Sequence, residues 1–306
     1  MKKIVIIGSS GFLGLNLCFK LSKNYKIFPI INKKRIKIKN KNFIYINLKE
    51  EKKFINYLKK IKPDYLINCV AYSNVEKCEK YKKYTYDINT NLALKISKIC
   101  NNLKIHYTFI SSDHLYSGKK KFYNEKNKLS PINTYARSKV LAEKKIKKNS
   151  SKYLILRTNF YGFGPKFRTT SLVDKIINNL IKKKDAYLLN DVNFTPISID
   201  QFVEILIYLL ENNKRGTFNI SGDQRITKYK FGHKISKKFG LNKKFIKKLY
   251  LNDINKDVLR PGEMGLSNIK IKKLINKKSL FDLSIGISQL YKSYMSSYYK
   301  NLKKIK

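Results

Sequence analysis

The stretch "KIVIIGSSGFLG", residues 3–14, constrains this chain more than any other. "KIVIIG" (3–8) reads as a buried strand, because its apolar run is short and β-branched. "FLGLNLCFKLSK" (12–23) reads as a helix, with apolar residues at 12, 13, 17, 19 and 21. Between them sits a turn carrying Gly8 and Gly11, with Gly14 one turn into the helix. Each glycine has its own use. Gly8 permits the tight turn, Gly11 lets a pyrophosphate approach the backbone, and Gly14 lets helix and strand pack closely. The free N–H groups and positive dipole end of the helix favour an anion there. The spacing is G-x-x-G-x-x-G rather than G-x-G-x-x-G. Directly after a strand and opening a helix, it predicts a dinucleotide-binding turn.

The pattern continues in kind. Apolar runs at 26–31, 42–47, 64–71, 105–112 and 152–158 read as strands. Helical stretches fall near 50–61, 75–82 and 85–102, and another carries Tyr135 and Lys139. Strands alternating with helices predict an α/β fold: a doubly wound parallel sheet with right-handed crossovers. Its ligand lies beyond the carboxyl ends of the strands. The loops at 8–11, 32–35, 71–74, 112–118 and 158–168 then rim the site. Residues 1–160 form the expected dinucleotide-binding domain, rejoined by 192–221. A smaller mixed α/β substrate-binding region takes 161–191 and 222–306. Helices are expected at 169–184, 200–213 and 227–240, and a strand at 216–221. The amphipathic, basic end, 284–304, reads as a solvated outer helix.

Charge is the other extreme feature: 67 Lys and Arg against 20 Asp and Glu, net +47. Only Arg35, Arg137, Arg157, Arg168, Arg215, Arg225 and Arg260 are arginine, and Ile and Asn are also abundant. That is the signature of A+T-rich codons. A nucleic-acid surface leans on arginine, whose planar fork reads phosphates and base edges. The lysines are also scattered from end to end, so no dedicated nucleic-acid site is expected. Cys18, Cys69, Cys78 and Cys100 lack C-x-x-C spacing, and His106, His114 and His233 are far apart, so no metal motif is visible. The apolar run at 4–7 is too short for a secretory signal, and no run approaches a membrane span. A reducing cytoplasm is the expected compartment.

The second strand ends in "INKKRIK". An NAD binder usually carries Asp or Glu there, to hold the ribose hydroxyls. Here Asn32 is followed by Lys33, Lys34 and Arg35, cations suited to a 2′-phosphate. NADP(H) is expected over NAD(H).

Tyr-x-x-x-Lys spacing recurs, at Tyr45/Lys49, Tyr116/Lys120 and Tyr135/Lys139. Only context separates these pairs. Tyr45 leaves a strand, and Tyr116 runs into "SGKKK". Tyr135 lies in "PINTYARSKVLAEKKIKK", where Asn133 or Thr134 suits an N-cap and good helix formers follow. On a helix, Tyr135 and Lys139 share a face. An ammonium beside the phenol is expected to lower its pKa, letting Tyr135 exchange a proton with a carbonyl oxygen. Lys139 is also placed to hold a cofactor ribose. Ser111 and Ser112, at a strand end, each offer a hydroxyl to the same oxygen.

With "GSSGFLG", "NCVAYSNVEKCE" (68–79), "SSDHLY" (111–116), "YARSK" and "RTNFYG" (157–162), the chain resembles an extended short-chain dehydrogenase/reductase. Within that superfamily it looks most like the dTDP-4-dehydrorhamnose reductase group. That group typically shows N-A-A-A-Y-T-x-V-D-x-A-E, S-T-D-Y-V-F and R-T-S-W-V-Y in these places. "RPGEMGLSNIKIKKL" (260–274) matches its later R-P stretch. The resemblance covers nearly the whole chain. It implies an NADPH-dependent reductase of a nucleotide-linked 4-keto-6-deoxy sugar. The catalytic set becomes Ser112, Tyr135 and Lys139. Cofactor contacts fall to Gly8, Ser10, Gly11, Phe12, Leu13 and Gly14, then Asn32, Lys33, Arg35, Asn47 and Leu48, then Val70, Ala71, Tyr72, Asn89, Tyr135 and Lys139. Ala71 and Tyr72 take the nicotinamide side. Ser73, Asp113, His114, Asn159 and Phe160 face the sugar, and Arg260 the nucleotide diphosphate. His114 replaces the usual tyrosine, and Phe160 a tryptophan that stacks on the sugar. Asn47 stands where an aspartate near the adenine is common. An epimerase or dehydratase on the same scaffold is the alternative, although only Asp113 stands beside the hydroxyl. A non-catalytic NADP-binding subunit, like the methionine adenosyltransferase β-subunit relatives of this group, is another. The resemblance also allows a homodimer.

Overall fold

The computed structural model describes residues 1–32, 43–150, 152–165, 171–254 and 257–304. In the first half, strands β1 (Lys3–Ile7), β2 (Lys26–Ile31), β3 (Ile44–Tyr45), β4 (Tyr65–Asn68), β5 (His106–Ile110) and β6 (Tyr153–Thr158) alternate with helices. The helices are α1 (Phe12–Leu21), α2 (Glu51–Ile61), α3 (Val75–Lys80), α4 (Lys82–Tyr86), α5 (Leu92–Asn102) and α6 (Thr134–Asn149). The second half holds β7 (Phe160–Tyr161), α7 (Leu172–Ile181), β8 (Ala186–Leu189), β9 (Asn193–Phe194), β10 (Ile197–Ser198), α8 (Ile199–Glu211) and β11 (Gly216–Ile220). It continues through β12 (Ile226–Thr227), α9 (Lys228–Lys238), β13 (Ile246–Leu249), β14 (Glu263–Met264), α10 (Ile269–Lys272), α11 (Leu283–Met295) and α12 (Ser297–Lys304).

Among the described residues, seven strands form one sheet in the order β11-β6-β5-β4-β1-β2-β3. Every pairing in it is parallel. This is the expected doubly wound α/β fold. Strand order reverses at β1, so the crevice beyond β1 and β4 is the topological switch point. The apolar run of β1 follows from burial on both faces. Ile4 and Ile6 enter the core under α1 and α8, while Val5 and Ile7 enter the one under α2, α5 and α6. Successive side chains point to opposite faces, so four adjacent residues serve two cores. A further core unites α7, β8, α9, β13 and α11 around Val173, Ile177, Phe231, Ile235 and Ile287.

Three expectations change. The strand read at 42–47 is only Ile44–Tyr45, because β3 is the sheet edge and pairs with β2 alone, at Ile30↔Ile44 and Ile31↔Tyr45; residue 42 lies outside the described residues. The helix read at 85–102 is a composite. α4 ends at Tyr86, one π-helical stretch covers Asp87–Asn91, and α5 follows. The C-terminal stretch is not one solvated helix. α11 and α12 meet at Ser296, and Leu283, Ile287, Leu290 and Leu302 are buried in the second-half core. No helix among the described residues is long and apolar enough to cross a membrane.

Candidate active site

The first loop takes its shape from two close approaches. Gly8 has φ +74, and a Cβ on it lies 2.9 Å from the backbone of Cys69 and Val70. On Gly14 a Cβ lies 2.4 Å from the Gly8 carbonyl oxygen. A side chain at 14 therefore forces α1 off the end of β1. Gly11 is the N-cap of α1, with no side chain capping the helix. The helix start is thus left open toward the crevice, an arrangement that fits a dinucleotide pyrophosphate.

The start of α6 is fixed from two sides. Asn133 is the N-cap, accepting the Ala136 N–H at 2.9 Å. Glu79 of α3 accepts the Thr134 N–H at 2.6 Å and its hydroxyl at 2.7 Å. Tyr135, in the first turn, is thereby aimed into a crevice of about 430 Å³ beyond the strand ends. The crevice brings together many residues that are far apart in sequence. Gly11, Phe12 and Leu13 come from the first loop, Ala71 and Ser73 from the segment after β4. Ser112, Asp113 and His114 follow β5, Tyr135 and Lys139 lie on α6, and Asn159 and Phe160 follow β6. The five segments are those that the topology delivers to the switch point.

Geometry separates the two serines. The Ser112 hydroxyl lines the crevice with the Tyr135 phenol and acts to lower its pKa. It also donates to Asp113 Oδ1 at 3.2 Å and accepts the His114 N–H at 3.2 Å. Ser111 turns away and donates to Glu143 Oε1 at 2.7 Å. Asp113, held by Asn159 Nδ2 on its other oxygen, is nearly fully buried.

The electrostatics differ from the expectation. Burial pushes the Tyr135 phenol up to about 12, and the Ser112 hydroxyl opposes it. Lys139 does not offset that burial. Its ammonium donates to the Ile110 carbonyl at 2.6 Å and lies 4.0 Å from the centre of the Phe109 ring. Burial in turn pushes Lys139 down to about 7, with Glu143 and then Cys69 pulling it back up. Tyr135 is thus a firmly protonated phenol at neutral pH.

His114 sets its ring edge against Tyr135, centroids 5.8 Å apart. Its Nε2 is 4.0 Å from Asp113 Oδ1, while its buried Nδ1 has no hydrogen-bond partner among the described residues. Burial holds its pKa below the usual range; Asp113 opposes this, and Lys228 and Arg260 add to it. Phe160 packs against Phe12, centroids 5.5 Å apart.

Other candidates sit outside the crevice lining. Val70 N–H bonds Asn68, and Leu48 is buried in the α2 side core. Asn47 accepts the Lys49 N–H. Asn32 is exposed at the end of β2. Ser10 is buried within the first loop. Asn89 is buried in the π-helical stretch with its amide fully engaged: it accepts Tyr72 N–H at 2.8 Å and donates to Tyr72 O at 2.9 Å and Ser138 Oγ at 3.0 Å. Asn89 therefore ties the segment after β4 to α6. Arg260 is ion-paired with Glu76 and bonds Val258 O at 3.3 Å. Lys33, Lys34 and Arg35 lie outside the described residues. Another Tyr-x-x-x-Lys pair, Tyr299/Lys303, belongs to the second-half core, where Lys303 Nζ meets Asp174 at 2.7 Å.

Sequence reasoning missed Lys228 and Glu143. Lys228 opens α9, where burial lowers its pKa, the Asp113 charge opposes that and the Arg260 charge adds to it. In so lysine-rich a chain nothing marks it out. Glu143 continues the Tyr135/Lys139 face by one more turn, a signal that was readable in the spacing.

A family model described as the RmlD substrate binding domain matches residues 1–285. The chain is 24% identical over 257 residues to a probable low-salt glycan biosynthesis reductase of Haloferax volcanii, covering 82% of this chain and 85% of that one. It is 22% identical over 248 residues to methionine adenosyltransferase 2 subunit beta of Rattus norvegicus, covering 78% and 73%. Among solved structures, dTDP-4-dehydrorhamnose reductase of Bacillus anthracis in complex with NADP superposes with a TM-score of 0.82. That match has 21% identity and covers 96% of this chain and 100% of that one. With residues 1–285 matched and the same doubly wound sheet, the chain belongs to the RmlD substrate binding domain family, among the extended short-chain dehydrogenase/reductases.

Proposed function

We propose that this protein reduces a nucleotide-linked 4-keto-6-deoxy sugar with NADPH. One observation carries the reading: Ser112 and Tyr135 line the same crevice wall, with Lys139 buried beside them and the start of α1 in the same crevice. Gly8, Gly11, Gly14 and the start of α1 would hold the cofactor pyrophosphate. Lys139 would hold the nicotinamide ribose, and Ala71 flanks the ring. The preference for the phosphorylated cofactor rests on Lys33 and Arg35 in the sequence. NADPH, when bound, supplies the hydride that C4 of the sugar accepts.

The rest is done by side chains. The Ser112 and Tyr135 hydroxyls converge on the C4 oxygen and stabilise the negative charge that grows on it. Tyr135 then gives up its proton. At about 12 the phenol is a weak acid, yet it remains stronger than an alcohol. Alkoxides resemble hydroxide, whose parent water has a pKa of about 15.7, so the transfer is downhill. Asp113, oriented by Asn159, accepts hydrogen bonds from sugar hydroxyls. Phe160 offers an apolar ring to the sugar face and donates no hydrogen bond. Arg260 and Lys228 give the nucleotide diphosphate its counter-charge.

The test is NADPH oxidation against a panel of nucleotide-linked keto sugars, with product analysis. A reduced sugar formed with stoichiometric NADPH loss supports the proposal. Epimerised or dehydrated product with no net oxidation indicates the alternative chemistry on this scaffold. Tight NADPH binding with no product of any kind indicates a non-catalytic subunit.

A further inference from the structure

Tyr135, Lys139 and Glu143 follow one another at four-residue steps along α6, so they lie on one face of the helix. The third member is fully buried, at 0% exposure. Its carboxylate is saturated. Oε1 accepts from Ser111 Oγ at 2.7 Å and Arg157 Nε at 3.0 Å, and Oε2 accepts from an Arg157 terminal nitrogen at 2.6 Å. Lys147, one turn further on, lies 3.7 Å from Oε2. Arg157, on β6, is itself only 1% exposed. Its guanidinium also donates to the Tyr116 hydroxyl at 2.8 Å, and Tyr116 stacks on Tyr123 at 4.1 Å. The carboxylate is thus clamped between α6, β6 and Ser111, the first residue after β5 and the one that precedes Ser112.

We propose that Glu143, braced by Arg157, is a positioning residue of this site: it pins Ser111, and with it the turn carrying Ser112, and sets a buried carboxylate one helical turn from Lys139. The inference rests on the reading of Ser112, Tyr135 and Lys139 as the reacting set. Glu143 touches no substrate and acts through its neighbours. The groups facing it are Ser111 after β5, Arg157 and Tyr153 on β6, Tyr116 in the loop that follows, and Lys147 on its own helix. Those facing Lys139 are the Ile110 carbonyl and Phe109 ring of β5, Cys69 beyond β4, and Glu143. Glu143 is the larger of the two influences that offset the burial of Lys139. Without it, the amine loses its proton at a lower pH and no longer offers a full positive charge.

Glu143→Gln alone leaves Arg157 unpaired in the core, so the test uses Glu143→Gln/Arg157→Met, with the fold checked by circular dichroism. Lys139 is followed by NMR of ¹³C-lysine-labelled protein, its resonance identified by its loss in Lys139→Ala. In the wild type the resonance titrates near neutrality. In the double variant its midpoint falls by roughly one pH unit, the scale on which an adjacent opposite charge moves a pKa. An unchanged midpoint overturns the electrostatic half. Ser111→Ala leaves both charges in place and reads the positioning half. It lowers kcat about tenfold or more, the order expected when a stabilising hydroxyl is misplaced, with KM and NADPH affinity unchanged. An unaltered kcat overturns that half. The NMR midpoint needs no substrate, so it stands or falls separately from the keto-sugar assignment.

Discussion

Tyr135 and Lys139 are pushed in opposite directions by one cause. Burial raises the phenol to about 12 and lowers the amine to about 7. The consequence for stability has a definite sign. The unfolded chain holds a lysine proton up to about 10.4, whereas the folded protein releases this one near 7. Between those values the unfolded state binds more protons, so raising the pH favours folding. The wild type therefore gains stability relative to Lys139→Met as pH rises from about 7 toward the ordinary lysine range, with the largest deficit below neutrality. Urea unfolding of both proteins at a series of pH values checks this; a difference that is flat with pH contradicts it. The sequence showed that Tyr135 and Lys139 share a helix face, because Asn133 and the following residues dictate that helix. It did not show the direction of the phenol shift, which depends on where Lys139 finds its hydrogen bond. Nor did it separate Ser111 from Ser112, since both sit at the same strand end. Only the packed helix α6, with Tyr135 in its first turn and Glu143 two turns further along the same face, assigns them.

At the scale of elements, the β1–loop–α1 unit was legible to within two residues because its constraints are local. Strand burial, the positive φ of Gly8 and the approach of Gly14 to Gly8 all act within twelve residues of chain. Gly14→Ala places a methyl 2.4 Å from a carbonyl oxygen. Such overpacking costs roughly 1–3 kcal/mol, and the shift of α1 needed to relieve it weakens NADPH binding as well. Denaturant midpoints and a fluorescence titration with NADPH measure both effects. A variant with wild-type stability and affinity would remove the close approach from the account. The break at Asp87–Asn91 was not legible. It depends on Asn89 bonding Tyr72 and Ser138, partners 17 and 49 residues away. The division of the last helix was hidden for a similar reason: Leu302 is buried only because α12 turns back onto the second-half core.

The whole molecule carries +47 on 306 residues, and this charge is spread along the chain rather than gathered at the site. Self-repulsion of that kind destabilises the compact state and is relieved by screening. Raising salt from about 0.01 M to about 1 M shortens the screening length from roughly 30 Å to roughly 3 Å. The melting temperature is accordingly expected to rise with sodium chloride, and retention on a polyanion column to vanish at moderate salt. A melting temperature that falls with salt, or retention that survives it, would mean that the lysines form specific ion pairs or a dedicated polyanion site. Regardless of this charge, the doubly wound sheet opens its crevice at the topological switch point.

Within that crevice, the account comes down to the phenolic proton of Tyr135. The direct measurement is single-turnover NADPH oxidation with a nucleotide-linked 4-keto-6-deoxy sugar by the wild type and by Tyr135→Phe, together with the NADPH dissociation constant of each. The account predicts that the variant binds NADPH as the wild type does and that hydride transfer slows by about 10²- to 10⁴-fold, the usual contribution of a positioned general acid. Hydride transfer at the wild-type rate in Tyr135→Phe would contradict it.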